Sequence, residues 1–220
     1  MSEITTVTVK AGWVATLLAG ACIAGAGPTW AKAVYVIDDF GTPSTALSFS
    51  GSGTGSIVDQ LVPGARATFL QADTDVNPLD GVATVSYGGG QLTVSSPSQG
   101  RTYASVGYDD FANHLHDTSL DTTPYNYFEF QFAYSDKPIN INALLYSGTP
   151  TGPNIYYDGG SANVDPPKSG GPFTVYIPIP APAGFDRANV NGEYFEIDVA
   201  SNQVGTGWAL DKFALTSGTP

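Results

Sequence analysis

The most constraining feature of this chain is a strict alternation of apolar and polar residues, in short stretches separated by glycine and proline. Phe173–Ile179, for example, alternates four apolar side chains with Thr174, Tyr176 and Pro178. A period of two places successive side chains on opposite faces of a β-strand, whereas a helix would need a period of about 3.6. Short alternating runs bounded by turn-forming residues therefore predict an all-β protein.

Each of eleven such runs predicts one short strand, and Gly88-Gly89-Gly90 between two of them predicts a hairpin. Because each strand has one apolar and one polar face, we expect two antiparallel sheets packed face to face. About ten to eleven strands in one domain favour a jelly-roll β-sandwich over a seven-stranded immunoglobulin fold. The predicted strands are Val34–Ile37, Leu47–Phe49, Arg66–Leu70, Val82–Tyr87, Gln91–Ser96, Thr102–Tyr108, Tyr127–Tyr134, Asn142–Tyr146, Phe173–Ile179, Glu193–Val199 and Trp208–Leu215.

The same alternation assigns the polar side chains of each strand to a solvent-facing surface. In Tyr127–Tyr134 it places three phenylalanines on the inner face and Glu129 and Gln131 on the wet face. The longest connections between predicted strands are residues 109–124 and 147–172, and we expect both to be loops. Long ordered loops often carry function, so a site is expected there.

The N-terminal segment has the composition of a targeting signal. Lys10 precedes an apolar run over residues 11–27, and Ala31-Lys32-Ala33 provides a small-x-small motif after that run. This order of charge, apolar run and small residues predicts a secretory signal peptide that is cleaved at the Ala33–Val34 bond. A transmembrane anchor is the alternative, but the run is at the short limit for a membrane span.

Cleavage at that bond divides the chain into a signal peptide (residues 1–33), a β-sandwich domain (34–217) and a short C-terminal tail (218–220). The mature protein would be secreted, either extracellular or periplasmic, without a membrane span. A lipid anchor on Cys22 is a second possibility, because the surrounding residues loosely resemble a bacterial lipobox. Ala19 stands where that motif has a bulky aliphatic residue, so we favour cleavage without lipidation.

Composition excludes several classes of protein. The chain has 20 acidic and 8 basic residues and a net charge of -12, so it lacks the basic face that nucleic-acid binding needs. Its single cysteine cannot form a disulfide scaffold. An exported domain without disulfides depends on its hydrophobic core, and the many carboxylates suit both solubility and cation binding.

The two ends of the predicted domain carry a recognisable pair of motifs. The first is Val36-Ile37-Asp38-Asp39-Phe40, and the second is Leu210-Asp211-Lys212-Phe213 within the last strand. Together they resemble exported bacterial jelly-roll proteins of the galactose-binding-like type, which include carbohydrate-binding modules and many surface proteins. The resemblance implies a β-sandwich, but this fold hosts binders, enzymes and structural modules alike.

Jelly rolls of this type bind a structural calcium ion through acids near their first and last strands. The resemblance implies such a site at Asp38, Asp39 and Asp211. Three carboxylates and nearby backbone would supply part of the roughly six to eight oxygens that calcium takes. The alternative is that these acids accept hydrogen bonds in turns and at strand ends.

Aromatic and polar side chains in and beside the predicted loops suggest a carbohydrate site. Sugars stack their apolar faces on aromatic rings and exchange hydrogen bonds with polar groups, and tyrosine offers both kinds of contact. The alternative is that these tyrosines only pack the rim of the sandwich. The predicted ligand-binding residues are Tyr125, Tyr127, Asn154, Tyr156, Tyr157 and Asp158.

Two loop patterns resemble metal sites without completing them. Asp73–Asp80 alternates oxygen-bearing residues, but Pro78 and Thr84 replace the glycine and glutamate that an EF-hand requires, so we interpret the segment as a solvated loop. His114 and His116 are residue types that bind transition metals. The chain has no third histidine, and we favour polar loop residues there.

Glu196 and Asp198 are similar to the strand motif of jelly-roll β-glucan hydrolases. That motif needs a second glutamate two positions beyond Val199, and the residue there is Ser201. A retaining glycosidase requires two carboxylates about 5 Å apart. We therefore expect Glu196 and Asp198 on the wet face of a strand.

These observations favour a non-catalytic exported β-sandwich that binds carbohydrate or acts at the cell surface or in the extracellular matrix, stabilised by calcium. The expected partner is a glycan or surface polysaccharide. One alternative is a purely structural or adhesive surface protein. A second is a polysaccharide-degrading enzyme, although nucleophile-elbow, phosphate-loop and dinucleotide motifs are missing from the sequence.

Overall fold

The computed structural model shows a β-sandwich, and every regular element in the part of the chain it describes is a strand. Within that part, no helix is long and apolar enough to cross a membrane. The described residues are 5–6, 32–41, 45–62, 66–76, 79–109, 119–147, 156–200 and 203–218.

Fourteen strands lie in these ranges. In chain order they are β1 (Thr5–Thr6), β2 (Val34–Asp38), β3 (Thr45–Phe49), β4 (Gly53–Val62), β5 (Arg66–Asp75), β6 (Ala83–Gly88), β7 (Gln91–Ser95), β8 (Arg101–Asp109), β9 (Tyr127–Ser135), β10 (Ile139–Ser147), β11 (Tyr156–Val164), β12 (Phe173–Pro178), β13 (Gly192–Val199) and β14 (Gly207–Thr216).

Sheet A has eight strands, in the order β1-β12-β9-β14-β7-β6-β3, and β2 also pairs with β14. All of its pairs are antiparallel except β1 with β12. The strand β14 changes partner along its length: Gly207–Leu210 pairs with β7, and Phe213–Thr216 pairs with β2. Its register with β9 shifts twice, between Ala209 and Leu210 and again between Leu210 and Lys212.

Sheet B has six antiparallel strands, in the order β11-β10-β13-β8-β5-β4. The two sheets pack face to face, so the predicted all-β jelly-roll sandwich is confirmed. The predicted hairpin is also confirmed, because β6 and β7 are joined through Gly88, Gly89 and Gly90. All three glycines have positive φ, a backbone conformation that side-chain-bearing residues rarely adopt.

Aromatic rings fill the space between the sheets. Phe128, Phe130 and Phe132 of β9 are buried, as their alternation predicts. The rings of Phe130 and Phe213 stack with centroids 4.9 Å apart. Those of Phe132 and Phe173 stack at 4.8 Å. Burying one such side chain contributes roughly 1.5–3 kcal/mol, so this aromatic cluster is a principal source of stability in a domain without disulfides.

The eleven predicted strands all form, and β1, β4 and β11 are additional. The prediction that residues 147–172 are a loop was therefore wrong, since β11 lies within them and pairs with β10. Gly159 and Gly160 explain why β11 lacks an apolar pattern. A Cβ on Gly159 would lie 2.3 Å from Leu144, and one on Gly160 would lie 2.7 Å from Ile177, so neither position has room for a side chain.

Candidate functional site

The outer face of sheet B combines polar and aromatic side chains on four adjacent strands. In β13 the inward residues Phe195, Ile197 and Val199 are buried, so the residues between them point away from the core. Strand register extends this assignment to β5, β8 and β10. We call the outward set the sheet B face; it comprises Phe69, Gln71, Asp73, Tyr103, Ser105, Asn140, Asn142, Leu144, Tyr194, Glu196 and Asp198.

One polar row runs straight across this face. Asn142 is paired with Glu196, Glu196 with Ser105, and Ser105 with Gln71. Ser56 of β4 continues the row beside Gln71. Because adjacent strands lie about 4.8 Å apart, the row spans roughly 20 Å. Ser105 is only 2% exposed and is bonded to Tyr194, so the side chains of the row that reach solvent are those of Asn142, Glu196, Gln71 and Ser56.

An apolar row runs parallel to the polar one. Leu144 is paired with Tyr194, Tyr194 with Gly107, and Gly107 with Phe69. The three side chains are half-buried and keep part of their surface in solvent. Gly107, which lies between the tyrosine and the phenylalanine in this row, has no side chain and is itself buried. Such an arrangement presents apolar rings next to hydrogen-bonding groups.

Tyr194 links the two rows. Its hydroxyl donates to Glu196 Oε2 at 3.0 Å, and it also has a side-chain hydrogen bond with Ser105. Burial, together with the charge of Glu196, raises the pKa of Tyr194 to about 12. The phenol is therefore a neutral hydrogen-bonding group at physiological pH, and its bond to Glu196 holds both side chains in fixed positions.

Two carboxylates, those of Asp73 and Asp198, make the sheet B face acidic beside the polar row. Asp73 lies 3.5 Å from the Tyr103 hydroxyl, and burial together with this carboxylate raises the pKa of Tyr103. Asp198 forms an ion pair with Arg101 through the guanidinium Nη2, with a second contact from Nε at 3.2 Å. Glu196 belongs to the polar row, and Asp73, Asp198 and Arg101 lie along one side of that row.

Asp38, predicted as a calcium ligand, lies in the interior between the sheets. Its Oδ1 accepts a hydrogen bond from the Phe40 amide at 2.7 Å. Its Oδ2 accepts hydrogen bonds from the hydroxyls of Tyr87 and Tyr108, the latter at 2.8 Å. Burial raises the pKa of Asp38, and these three hydrogen bonds only partly offset that effect. Asp38 thus acts as a hydrogen-bond acceptor that joins β2 to a tyrosine from each sheet.

The other two predicted calcium ligands are nearer the surface. Asp39 accepts a hydrogen bond from the Gly41 amide at 3.1 Å, and Asp211 accepts one from the Gln91 amide group at 2.9 Å. Among the described residues, no group of three or more His, Cys, Asp or Glu side chains is arranged to hold a metal. The calcium site therefore stays a prediction.

The predicted ligand-binding tyrosines occupy one end of the sandwich. Tyr125 packs against the core, with its ring 6.3 Å from that of Tyr35. Tyr127 begins β9 and contacts the Tyr176 ring edge-on at 6.3 Å. Backbone hydrogen bonds tie this end together, including one from Ile179 to Asn126 at 2.9 Å.

The remaining predicted ligand residues belong to β11 or its approach. Tyr156 and Tyr157 are the first two residues of that strand, and Asn154 lies outside the described residues, as do His114 and His116.

Asp158 is fully buried, and its two carboxylate oxygens accept hydrogen bonds from the Ala181 amide at 2.9 and 3.0 Å. Burial raises the pKa of Asp158, whereas the hydrogen bond from Ala181 lowers it. Ala181 has a positive φ of 52°, which is strained for a residue with a side chain. Asp158 therefore secures the chain just after β12.

Glu129 corrects another prediction. It was expected on the wet face of β9, and it does point outward, but only 2% of the residue is exposed. Lys32 and Lys212 place their ammonium groups 2.7 and 3.4 Å from its carboxylate oxygens. Burial alone would raise the pKa of Glu129, but these lysines and a hydrogen bond from Gln131 hold it below its usual value. A carboxylate enclosed in this way is not available to a substrate.

Sequence reasoning placed Glu196 and Asp198 correctly on an outward face but missed the site around them. Tyr194, Tyr103 and Gln71 received no role, because each looked like an isolated polar position within its own strand. They share one face of the sheet only because β13, β8 and β5 are adjacent in it, although these strands are not consecutive in the chain. The available signal was the recurrence of tyrosine beside a carboxylate or hydroxyl on the polar side of predicted strands.

Comparison with known proteins places the fold in context. No family model and no curated protein matches the chain. Among solved structures, it is similar to a family 11 carbohydrate-binding module from Clostridium thermocellum in complex with a β-1,3-1,4-mixed-linked tetrasaccharide, with 14% identity and a TM-score of 0.40 over 83% of this chain and 94% of that one. It is also similar to a family 29 carbohydrate-binding module, with 13% identity and a TM-score of 0.36 over 80% and 91%. Similarity at this level concerns the general fold and carries no argument about ligands.

Proposed function

We propose that this protein is a non-catalytic carbohydrate-binding β-sandwich, and that the sheet B face is its glycan-binding surface. The observation that carries the proposal is the row of hydrogen-bonding side chains, Asn142, Glu196 and Gln71, aligned through the buried Ser105 and lying beside the half-buried rings of Tyr194 and Phe69. A sugar ring needs both components, because it presents hydroxyl groups at its edge and C–H groups on its faces.

The shape of the surface favours an extended chain over a single sugar. The polar row crosses five strands, β10, β13, β8, β5 and β4, with one side chain from each. Strands are spaced about 4.8 Å apart, so a linear glycan lying across them would meet a donor or acceptor on each strand except β8, where Ser105 is buried. Affinity would then come from many modest contacts along the chain, with the aromatic rings as anchors.

The negative charge of the sheet B face favours neutral ligands over acidic ones. The face carries Asp73, Glu196 and Asp198, while Arg101 is engaged with Asp198. The whole chain has a net charge of -12. Like charges brought together at an interface cost free energy, so we expect neutral polysaccharides to bind better than polyuronates.

The test is electrophoresis of the full chain in native gels that contain single polysaccharides, with the same mixtures assayed for released reducing ends. We expect retardation without release. Tyr194→Ala should weaken retardation at least about tenfold, which corresponds to about 1.4 kcal/mol. Tyr134→Ala, a tyrosine that is 40% exposed on the outer face of sheet A, is the matched control and should bind like the wild type.

Other outcomes would replace the proposal. Release of sugar ends would identify an enzyme. Retardation that survives Tyr194→Ala would move the ligand to another surface, with Tyr125 and Tyr127 the first to test. Absence of both retardation and release across neutral and charged polysaccharides would favour a structural or adhesive role, which self-association measurements would then examine.

Calcium binding by Asp38, Asp39 and Asp211 is proposed separately, since it concerns stability. A metal that binds only the folded state stabilises it by mass action. We expect a chelator to lower the melting temperature of the wild type, and Asp211→Asn to remove the difference, whereas Asp165→Asn, at an exposed position, should retain it. A melting curve that is unchanged by chelator contradicts calcium stabilisation.

A further inference from the structure

Lys32 is built into the outer face of sheet A. Its ammonium group donates to Glu129 Oε2 at 2.7 Å and to the Tyr176 hydroxyl at 3.1 Å. The same group lies 4.7 Å from the centroid of the Tyr176 ring, within the range of a cation–π interaction. Lys32 therefore contacts side chains from two neighbouring strands, β9 and β12.

The backbone beside Lys32 is also part of the fold. The Ala33 amide donates to Ser217 Oγ at 2.9 Å, and the Ser217 amide donates to the Ala33 carbonyl at 3.0 Å. These bonds extend the pairing of β2 with β14 beyond Val34, which is paired with Thr216. The contacts of the strand thus begin before Val34 and include the two residues that precede it.

This arrangement conflicts with cleavage at the predicted site. Hydrolysis of the Ala33–Val34 bond would remove both Lys32 and Ala33, and with them all of these contacts. We propose that the folded, exported protein retains Lys32, so that its mature N-terminus lies at Lys32 or upstream of it. The inference does not depend on the proposed glycan function.

Loss of Lys32 would deprive the buried Glu129 of one of its two ion-pair partners. The side chain of Glu129 is 3% exposed, and Lys212, at 3.4 Å, would be the remaining ion-pair partner among the described residues. Neighbouring outward residues are also closed to solvent, since Ala214 and Thr216 are fully buried. Without Lys32, the buried Glu129 charge would be compensated, among the described residues, only by Lys212 and by the hydrogen bond from Gln131, and removing one partner of a buried ion pair is destabilising.

The deciding experiment is export of the full chain through the general secretory pathway of a bacterial host. The folded product is then analysed by intact mass and by N-terminal sequencing. We expect a chain that begins at Lys32 or at an earlier residue. A folded product that begins at Val34 or later overturns the proposal.

A second measurement, made on the full chain, tests whether the ion pair between Lys32 and Glu129 stabilises the fold. Lys32→Met removes the charge but keeps most of the side-chain length, and Lys168→Met does the same at an exposed position. We expect Lys32→Met to lower the melting temperature by several degrees, since each 1 kcal/mol is worth about 2–4 °C in a domain of this size. Lys168→Met should leave it within about one degree. In a Glu129→Gln background Lys32→Met should have little further effect, and an equal effect in both backgrounds would contradict the pairing.

Discussion

On the outer face of sheet A, Glu129 is closed off from solvent by Lys32 and Lys212, whereas on the outer face of sheet B, Glu196 is half-exposed and accepts a hydrogen bond from Tyr194. Both glutamates occupy outward positions of central strands, and both alternate with buried phenylalanine or isoleucine. The difference lies in what covers them. Two cations neutralise the first carboxylate, while the second belongs to a row of neutral hydrogen-bonding groups.

This contrast distinguishes a surface that stabilises the fold from the surface that we propose as the glycan-binding one. A carboxylate held by two lysines has its acceptor capacity used within the protein, and displacing the lysines would leave buried charge behind. A carboxylate that accepts one hydrogen bond and keeps solvent contact can accept another from a ligand with little reorganisation. The same residue type thus stabilises the fold on one sheet and remains available for binding on the other.

The largest expected effect comes from one isosteric substitution made on each face. Glu129→Gln removes the charge that Lys32 and Lys212 surround, and we expect the free energy of unfolding to fall by about 2 kcal/mol. Glu196→Gln should change it by less than about 0.5 kcal/mol, because the residue is half-exposed and glutamine can still accept from Tyr194. Urea denaturation of both variants measures the difference, and equal losses would refute the distinction between the two faces.

The second prediction concerns affinity for a glycan, where we expect Glu196→Gln to have the larger effect. For a polysaccharide that the wild type binds, Glu196→Gln should weaken binding by roughly tenfold, about 1.4 kcal/mol, because a charged acceptor makes stronger hydrogen bonds than an amide. Glu129→Gln should leave the affinity unchanged under conditions where the variant is folded. Isothermal titration calorimetry gives both values, and a loss of affinity in Glu129→Gln would place the ligand on sheet A.

The sequence predicted well which side chains point inward or outward, but it did not predict which distant residues pack over them. Alternation identified the inward residues of β9 and the outward position of Glu129, because both follow from a period of two. It gave no sign that Lys32, 97 residues away in sequence, would cover that position. Similarly, β11 was missed because Gly159 and Gly160 are required by contacts with β10 and β12. Information that resides in the pairing of distant strands is not contained in a local pattern.

The candidate site shows the same limit of local patterns. The tyrosine loops were chosen because Tyr156, Tyr157 and Asp158 stand among glycines and prolines, yet they begin a strand and Asp158 is fully buried. Tyr194 and Ser105 become neighbours only when β13 pairs with β8. Hydroxyl and carboxylate groups on separate strands are aligned in one row by the register of strand pairing. The strands were predicted from the sequence, but their pairing register was not.

The third prediction uses pH to distinguish Glu129 from the inner carboxylate, Asp38. The folded-state pKa of Glu129 lies below its ordinary value of 4.5, so its contribution to stability is present above that pH and is lost as the pH falls through the lowered pKa. The folded-state pKa of Asp38 lies above its ordinary value of 3.8, so its contribution is present below that pH and is lost as the pH rises through the raised pKa.

The two groups should therefore give opposite trends when unfolding free energies are measured between pH 3 and 7. The destabilisation caused by Glu129→Gln should grow as the pH rises through the range below about 4.5. The destabilisation caused by Asp38→Asn should be greatest at the acidic end and shrink as the pH rises. Parallel pH profiles for the two variants would contradict these assignments.

The smallest expected effect concerns the ion pair between Arg101 and Asp198 at the edge of the sheet B face. Their side chains are 47% and 21% exposed, in contrast to 3% for Glu129. Solvent screens such a pair, so we expect Arg101→Ala to lower the free energy of unfolding by less than about 1 kcal/mol, and less still in high salt. The substitution frees Asp198 and makes the face more acidic, so affinity for a cationic polysaccharide should rise while affinity for a neutral one stays constant. If Arg101→Ala instead destabilised the protein as much as Glu129→Gln, exposure would not be what distinguishes the ion pairs on the two sheets.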